Sequence, residues 1–312
     1  MRWYKNNKTE WKEIIDAVST ELKRNPLMVE KDTIQSMFLY KLSLCELPFV
    51  FKGGTSLSKA FDLIDRFSED IDLSMSRNVT AKEKKQSKEI IISIAKELGL
   101  TLKNPDKIQS RYDYNKYIFE YESFYSVDKL ELLVETSYYQ ISYPVVNHRV
   151  YSFIEKFCHK NNLTLPVEFD AASFNMNVQS LERTFIDKVF AVCDYKIQNM
   201  MARDSRHLYD IAKILPNINL DDNLKEIVKV VRLDRSKSKN NPSANSKYNI
   251  NEMLKDIIET RFYEPDYKNF VKPQDTIKIV VRNSITSPQE KKYLYALIHK
   301  QYYWLQLIIY KK

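Results

Sequence analysis

The chain has 312 residues, 44% of them hydrophobic, and 49 Lys and Arg against 41 Asp and Glu, for a net charge of +8. That is apolar material for one large or two modest globular domains, and the positive balance points to an anionic partner rather than a polycationic one such as an aminoglycoside. No apolar run approaches the roughly twenty residues that cross a bilayer, the polar start lacks a signal-peptide core, and Cys45, Cys158 and Cys193 show neither disulfide nor zinc spacing, so a cytoplasmic protein without membrane contact is expected.

In chain order, Glu10 to Leu22 and Met28 to Leu44 carry apolar residues at helical spacing, with Asn25-Pro26 as the break between two leading helices. The apolar run Pro48-Phe49-Val50-Phe51 follows, and then Gly53 and Gly54, in a chain whose only other glycine is Gly99. Glycine serves where the backbone needs φ > 0 or must approach a ligand. A strand, a glycine turn and a helix through Thr55, Ser56 and Lys59 form a layout suited to holding phosphate on outward N–H groups. A plain strand-to-helix turn is the competing reading.

Asp70-Ile71-Asp72-Leu73-Ser74-Met75 alternates polar and apolar residues, which predicts a strand. Asp70 and Asp72 then project from one face with Cα atoms roughly 6.5–7 Å apart. Hard carboxylates at that spacing suit Mg²⁺ completed by substrate phosphates, and two such ions support in-line displacement at phosphorus. A solvated strand face gives the same pattern. Ala81 to Leu98 reads as a helix ending at Gly99, followed by strands at Leu100 to Lys103, Tyr112 to Tyr121 and Leu130 to Tyr138. Glu131 and Glu135 lie on one face of the last strand, either able to add a third carboxylate.

From about Pro144 the pattern is largely helical, at Val150 to Lys160, Leu181 to Met201 and His207 to Leu215. Residues 235–247 are polar, basic and without apolar periodicity, which predicts a solvated loop or, alternatively, a basic arm for RNA backbone. The stripe from Leu294 to Ile308 has helical spacing.

The stretch Phe51-Lys52-Gly53-Gly54-Thr55-Ser56-Leu57-Ser58-Lys59-Ala60 through Arg66-Phe67-Ser68-Glu69-Asp70-Ile71-Asp72-Leu73 resembles the AbiEii family of nucleotidyltransferase toxins, found in type IV toxin–antitoxin and phage abortive-infection systems and related to the MenT toxins. Leu133 to Tyr138, Arg183-Thr184-Phe185 with Lys188, and Ser205-Arg206-His207 with Tyr209-Asp210 resemble further blocks of that family. The resemblance implies an α+β, polymerase-β-like nucleotidyltransferase fold with a mixed sheet flanked by helices, and the change of pattern after Pro144 places it over 1–145 with the two leading helices, followed by a mainly helical C-terminal domain over 146–312. It implies NTP bound by Gly53, Gly54, Thr55, Ser56, Lys59, Lys188 and Arg206. Two Mg²⁺ ions, with Mn²⁺ as substitute, would sit on Asp70, Asp72 and Glu135. Lys188 would neutralise the leaving pyrophosphate, with Asp210 orienting it, both entering the cleft from the second domain; His207 would contact phosphate or cap a helix. The resemblance further implies an RNA acceptor, with the 3′ end of tRNA first, and an AbiEi-type antitoxin encoded nearby. A small-molecule or protein acceptor, and a nucleotide- or RNA-binding module without catalysis, are the competing functions.

Overall fold

Helices start where the local chemistry satisfies their first N–H groups. In the computed structural model, which describes residues 3–108, 113–165, 173–200 and 205–266, a short helix α1 (Trp3–Asn6) precedes α2 (Lys8–Leu22) and α3 (Pro26–Ser43). Asn25 caps α3 by accepting from the Leu27 N–H at 2.8 Å, with Pro26 at the first helical position, where its missing N–H costs nothing. Strand β1 (Phe49–Lys52) runs directly into α4 (Gly53–Lys59), a helix of 7 residues, and β2 (Asp70–Met75) returns beside it. A reciprocal cap between Thr80 and Glu83 starts α5 (Ala81–Glu97), which closes at Gly99 with φ +74.

Strands β3 (Thr101–Leu102), β4 (Tyr114–Tyr121), β5 (Leu130–Ile141), β6 (Val145–Val150) and β7 (Phe174–Gln179) complete the sheet, with helix α6 (Phe153–Lys160) between the last two. The order is β3-β4-β5-β2-β1-β7-β6. It is mixed: β2 pairs parallel with β5 and β1 with β7, while the other neighbours are antiparallel. Successive side chains alternate between the sheet's two faces. Phe51, Ile71, Leu73, Tyr117, Phe119, Leu132 and Val134 are all buried on one face. The opposite face carries Lys52, Asp70, Asp72, Glu135, Tyr114 and Lys116, all half-buried or exposed.

The expected α+β architecture is therefore present, with one correction of extent. The chain divides into two compact units, Met1–Gln179 and Ser180–Lys312, so the first unit does not end at 145. Residues 145–150 and 174–179 are strands, and they pair with each other and, through β7, with β1. In β7 the alternation Phe174, Met176, Val178 against Asn175, Asn177, Gln179 is the sequence signal of that strand. β6 sits at the sheet edge, where polar residues such as Asn147, His148 and Arg149 are normal.

Every described helix of the second unit belongs to the expected helical part: α7 (Leu181–Ile197), α8 (Arg206–Ile214), α9 (Asp222–Ser236) and α10 (Ile250–Glu259). The polar stretch after Arg235 is a largely exposed loop, anchored to the helices at a few points. Arg235 is buried against Asp187 at 3.4 Å and Asp194 at 2.6 Å, and the Ser243 N–H donates to Asp194 at 2.7 Å. Buried charge that is paired and hydrogen-bonded is tolerated where solitary charge is not, so two aspartates on α7 anchor the segment at Arg235 and Ser243, while Lys237, Lys239 and Lys247 stay exposed. The stripe from Leu294 to Ile308 lies outside the described residues.

Candidate active site

The register of the sheet sets the site. Asp72 is the cross-strand partner of Lys52 on β1 and of Glu135 on β5, and Glu135 is in turn the partner of Lys116 on β4. Directly paired residues share a face with Cβ atoms about 4.5–5.5 Å apart. The result is a row Lys52, Asp72, Glu135, Lys116 across four strands, with Asp70 two residues along β2 on the same face.

Against this row stands the glycine turn. Gly53 has φ +78, and a Cβ built on it would lie 2.0 Å from Asp72 Oδ2 and 2.8 Å from Asp72 Cγ. Only glycine lets the main chain come this close to the carboxylate while holding a left-handed conformation. A Cβ on Gly54 would lie 2.6 Å from Arg66 Nη2 and 2.7 Å from Ser68 Oγ. The bend thus has a carboxylate on one side and a guanidinium and hydroxyl on the other. Sequence periodicity placed Asp70 and Asp72 on a common face, but only the fold brings Gly53 onto Asp72.

The side chains of Thr55, Ser56 and Lys59 are all engaged within the protein. Thr55 Oγ1 donates to the Asp70 carbonyl and so pins the turn to β2, while Ser56 Oγ donates to the Gly53 carbonyl at 2.8 Å and braces the turn itself, both from buried positions. Lys59 is buried, and its Nζ donates to the Asp32 carbonyl at 2.9 Å, to Asp32 Oδ1 and to Ser36 Oγ at 2.7 Å on α3. Asp32 Oδ2 also accepts from the Phe153 N–H at 2.8 Å. Burial lowers the Lys59 pKa, opposed by the attraction of Asp32. Lys59 is an internal strut that ties α4 to α3.

Of the two glutamates, Glu135 shares the face and the row of Asp72, whereas Glu131 lies beyond the pairing of Asp70 with Leu133 and bonds Lys103 at 2.8 Å. Glu135 is itself engaged by Lys116 Nζ at 3.2 Å. Tyr114, 45% exposed, has its pKa pushed well above the ordinary tyrosine range. Loss of solvation at the hydroxyl is the first cause, followed by the charge of Glu135, a hydrogen bond to it, and the charge of Asp72. The phenol therefore stays protonated beside both carboxylates. Lys52, Tyr114 and Lys116 went unnoticed in the sequence; the alternation of Tyr114 and Lys116 with buried Asn115 and Tyr117 was the available signal for the latter two.

Among the described residues no three acidic, histidine or cysteine side chains already form a metal cage. The donor chemistry suits an ion that takes one or two carboxylates and completes its shell with phosphate oxygen and water. No helix among the described residues is long and apolar enough to cross a membrane.

In the second unit Lys188 Nζ lies 2.7 Å from Asp210 Oδ2, with side-chain exposures of 8% and 0%. The expected pairing of these two residues is thus present inside the helical unit. Arg206 is exposed at the start of α8, and His207 stacks on Tyr195 with ring centroids 5.6 Å apart.

Comparison with known proteins gives a family. A family described as nucleotidyl transferase AbiEii toxin, type IV TA system, matches residues 38–279. Among solved structures, JHP933 of Helicobacter pylori is similar at 18% identity, over 90% of this chain and 95% of that one, with a TM-score of 0.47. The MenT4 nucleotidyltransferase toxin of Mycobacterium tuberculosis is similar at 16% identity, over 94% and 89% of the two chains, with a TM-score of 0.48. U3 small nucleolar RNA-associated protein 25 of Candida dubliniensis is 23% identical over 223 residues, 65% of this chain. The match spans only 29% of that protein's length.

Proposed function

The chain belongs to the AbiEii family of nucleotidyltransferase toxins of type IV toxin–antitoxin systems, and from that premise we propose that it transfers a nucleoside monophosphate from an NTP to RNA, with Mg²⁺ as the metal. The observation that carries this reading is the contact between Gly53 and the Asp72 carboxylate, beside Glu135 in register. It puts bare main chain next to a metal-competent acid, the two things a metal-bound triphosphate needs at once.

Asp72 and Asp70 hold the divalent cation, which when bound neutralises phosphate charge and promotes ionisation of the attacking hydroxyl. Glu135, fixed by Lys116 and Tyr114, receives the proton of that hydroxyl. The acceptor oxygen bonds to the α-phosphorus while the bond to the β-phosphate oxygen breaks, releasing pyrophosphate. Most of the acceleration comes from positioning and charge stabilisation. Lys188, held by Asp210, is required for turnover. The net charge of +8 favours a polyanionic acceptor, for which the 3′ end of tRNA is the first candidate, and an AbiEi-type protein is the antitoxin.

Sequencing RNA 3′ ends after induced expression tests this. Added nucleotides with the wild type, and none with the Asp70→Ala, Asp72→Ala double variant, support it. An unchanged RNA pool with unimpaired growth refutes it.

A further inference from the structure

The four charges in the cross-strand row are not equivalent. The two inner ones, Asp72 and Glu135, are carboxylates, and the outer two are ammonium groups. Lys116 is committed to Glu135 at 3.2 Å. Lys52, half-buried at the end of β1, makes no ion pair among the described residues, although it is paired in register with Asp72 and is the residue immediately before Gly53.

We propose that Lys52 binds the triphosphate of the NTP, its ammonium contacting non-bridging phosphate oxygens beside Asp72. The inference rests on the nucleotidyl-transfer reading and adds to it a residue that the sequence argument passed over. Three observations lead to it. First, the sheet register places the Lys52 side chain on the open face with Asp72, so a phosphate bound through a cation on Asp72 lies within reach of a lysine stem. Second, the bare main chain at Gly53 lets the Asp72 carboxylate pack directly against the bend, since a Cβ there would lie 2.0 Å from Asp72 Oδ2, and this sets a cation held by Asp72 beside the residue that precedes the glycine. Third, the lysine that follows the glycines is already engaged: Lys59 is buried on Asp32 and Ser36. That leaves Lys52 as the lysine next to the turn that still faces outward.

The chemistry suits the place. Lysine is a compact point charge that binds phosphate without demanding one orientation, and partial burial strengthens its attraction for an anion by reducing competition from water. Lys52 also offsets the repulsion that Asp70 and Asp72 would exert on an incoming triphosphate.

The test is calorimetric titration of the full chain with inorganic tripolyphosphate, and separately with each of the four NTPs, in Mg²⁺. Tripolyphosphate removes dependence on the base and on the acceptor. Lys52→Met is expected to weaken binding of both ligand types by roughly 10- to 100-fold, the loss of one charge-assisted contact. Lys52→Arg should restore most of the affinity. Lys85→Met, which removes a 70% exposed lysine on α5, controls for overall charge and should bind as the wild type does. In turnover, the KM for NTP should rise in Lys52→Met in parallel with the binding loss. If that variant loses its circular dichroism spectrum, Lys52→Gln takes its place. Unaltered tripolyphosphate affinity in the folded variant overturns the role of Lys52 and leaves nucleotidyl transfer standing. Failure of the wild type to bind any of the five ligands overturns both.

Discussion

Substituting Gly53 by alanine probes the junction between turn and carboxylate. The backbone there has φ +78, and the new Cβ would meet Asp72 Oδ2 at 2.0 Å, Cγ at 2.8 Å and Cβ at 3.1 Å. Rotating the carboxylate relieves only the first two contacts, so Asp72 or the bend must shift. A left-handed conformation costs a non-glycine residue about 1–2 kcal/mol, and forcing a side chain into filled space adds about 1–3 kcal/mol. Gly53→Ala should therefore lose roughly 2–5 kcal/mol in urea denaturation, as the sum of those two penalties. A double-mutant cycle separates them. In an Asp72→Ala background the carboxylate is gone, and Gly53→Ala should cost only the backbone term, giving a coupling of about 1–3 kcal/mol. Gly54→Ala should cost less than Gly53→Ala, because its first obstacle is the tip of the flexible Arg66 side chain. Label transfer from NTP should fall with Gly53→Ala even at temperatures where the variant is fully folded. Equal stability of Gly53→Ala and wild type, or a cycle with no coupling, would refute the packing of turn against carboxylate.

Further outcomes follow from the buried pairs and the caps. Asp32→Ala strands the Lys59 ammonium in the interior, so it should destabilise the first unit by about 3–5 kcal/mol in denaturant titration, more than replacement of both partners by apolar residues. Asp210→Asn likewise leaves Lys188 without its counter-charge, and a loss of about 3–5 kcal/mol is expected for the helical unit by the same reasoning. Glu83 offers a pH test: hydrogen bonds from Arg77 and Thr80 lower its pKa from 4.5 to about 2. A carboxylate depressed in the folded state contributes stability that is complete above about 4.5 and is lost as pH falls toward about 2. The wild type should therefore lose more stability than Glu83→Gln across that window in acid denaturation, and identical profiles would refute the cap.

What could be read in the sequence and what could not follow from the range of the interactions involved. Asp70 and Asp72 share a strand face because alternation is local, and Gly53 and Gly54 stand out because glycine is so scarce in this chain. The break at Asn25-Pro26 and the helix from Ala81 were legible for the same reason, since both rest on neighbouring residues. The pairing of Asp72 with Glu135 depends on register between strands far apart in sequence, which no local pattern encodes. The burial of Lys59 was equally out of reach, because its partner Asp32 lies on a helix 27 residues upstream. The strands at 145–150 and 174–179 were missed because one is a polar edge and the alternation in the other was passed over between helical stretches, and their loss moved the domain boundary to 145. The exposed loop after Arg235 was legible from its polarity, but the burial of Arg235 on Asp187 and Asp194 depends on partners far upstream.

Transfer of label from NTP tests the chemistry most directly. The purified chain is incubated with Mg²⁺, total RNA and NTPs carrying ³²P at either the α or the γ position, and the RNA is resolved by size. The α label should enter RNA, the γ label should leave as pyrophosphate, and Asp72→Asn should abolish both. Retention of γ label in the acceptor, or equal α-label transfer by wild type and Asp72→Asn, would contradict nucleotidyl transfer at this carboxylate.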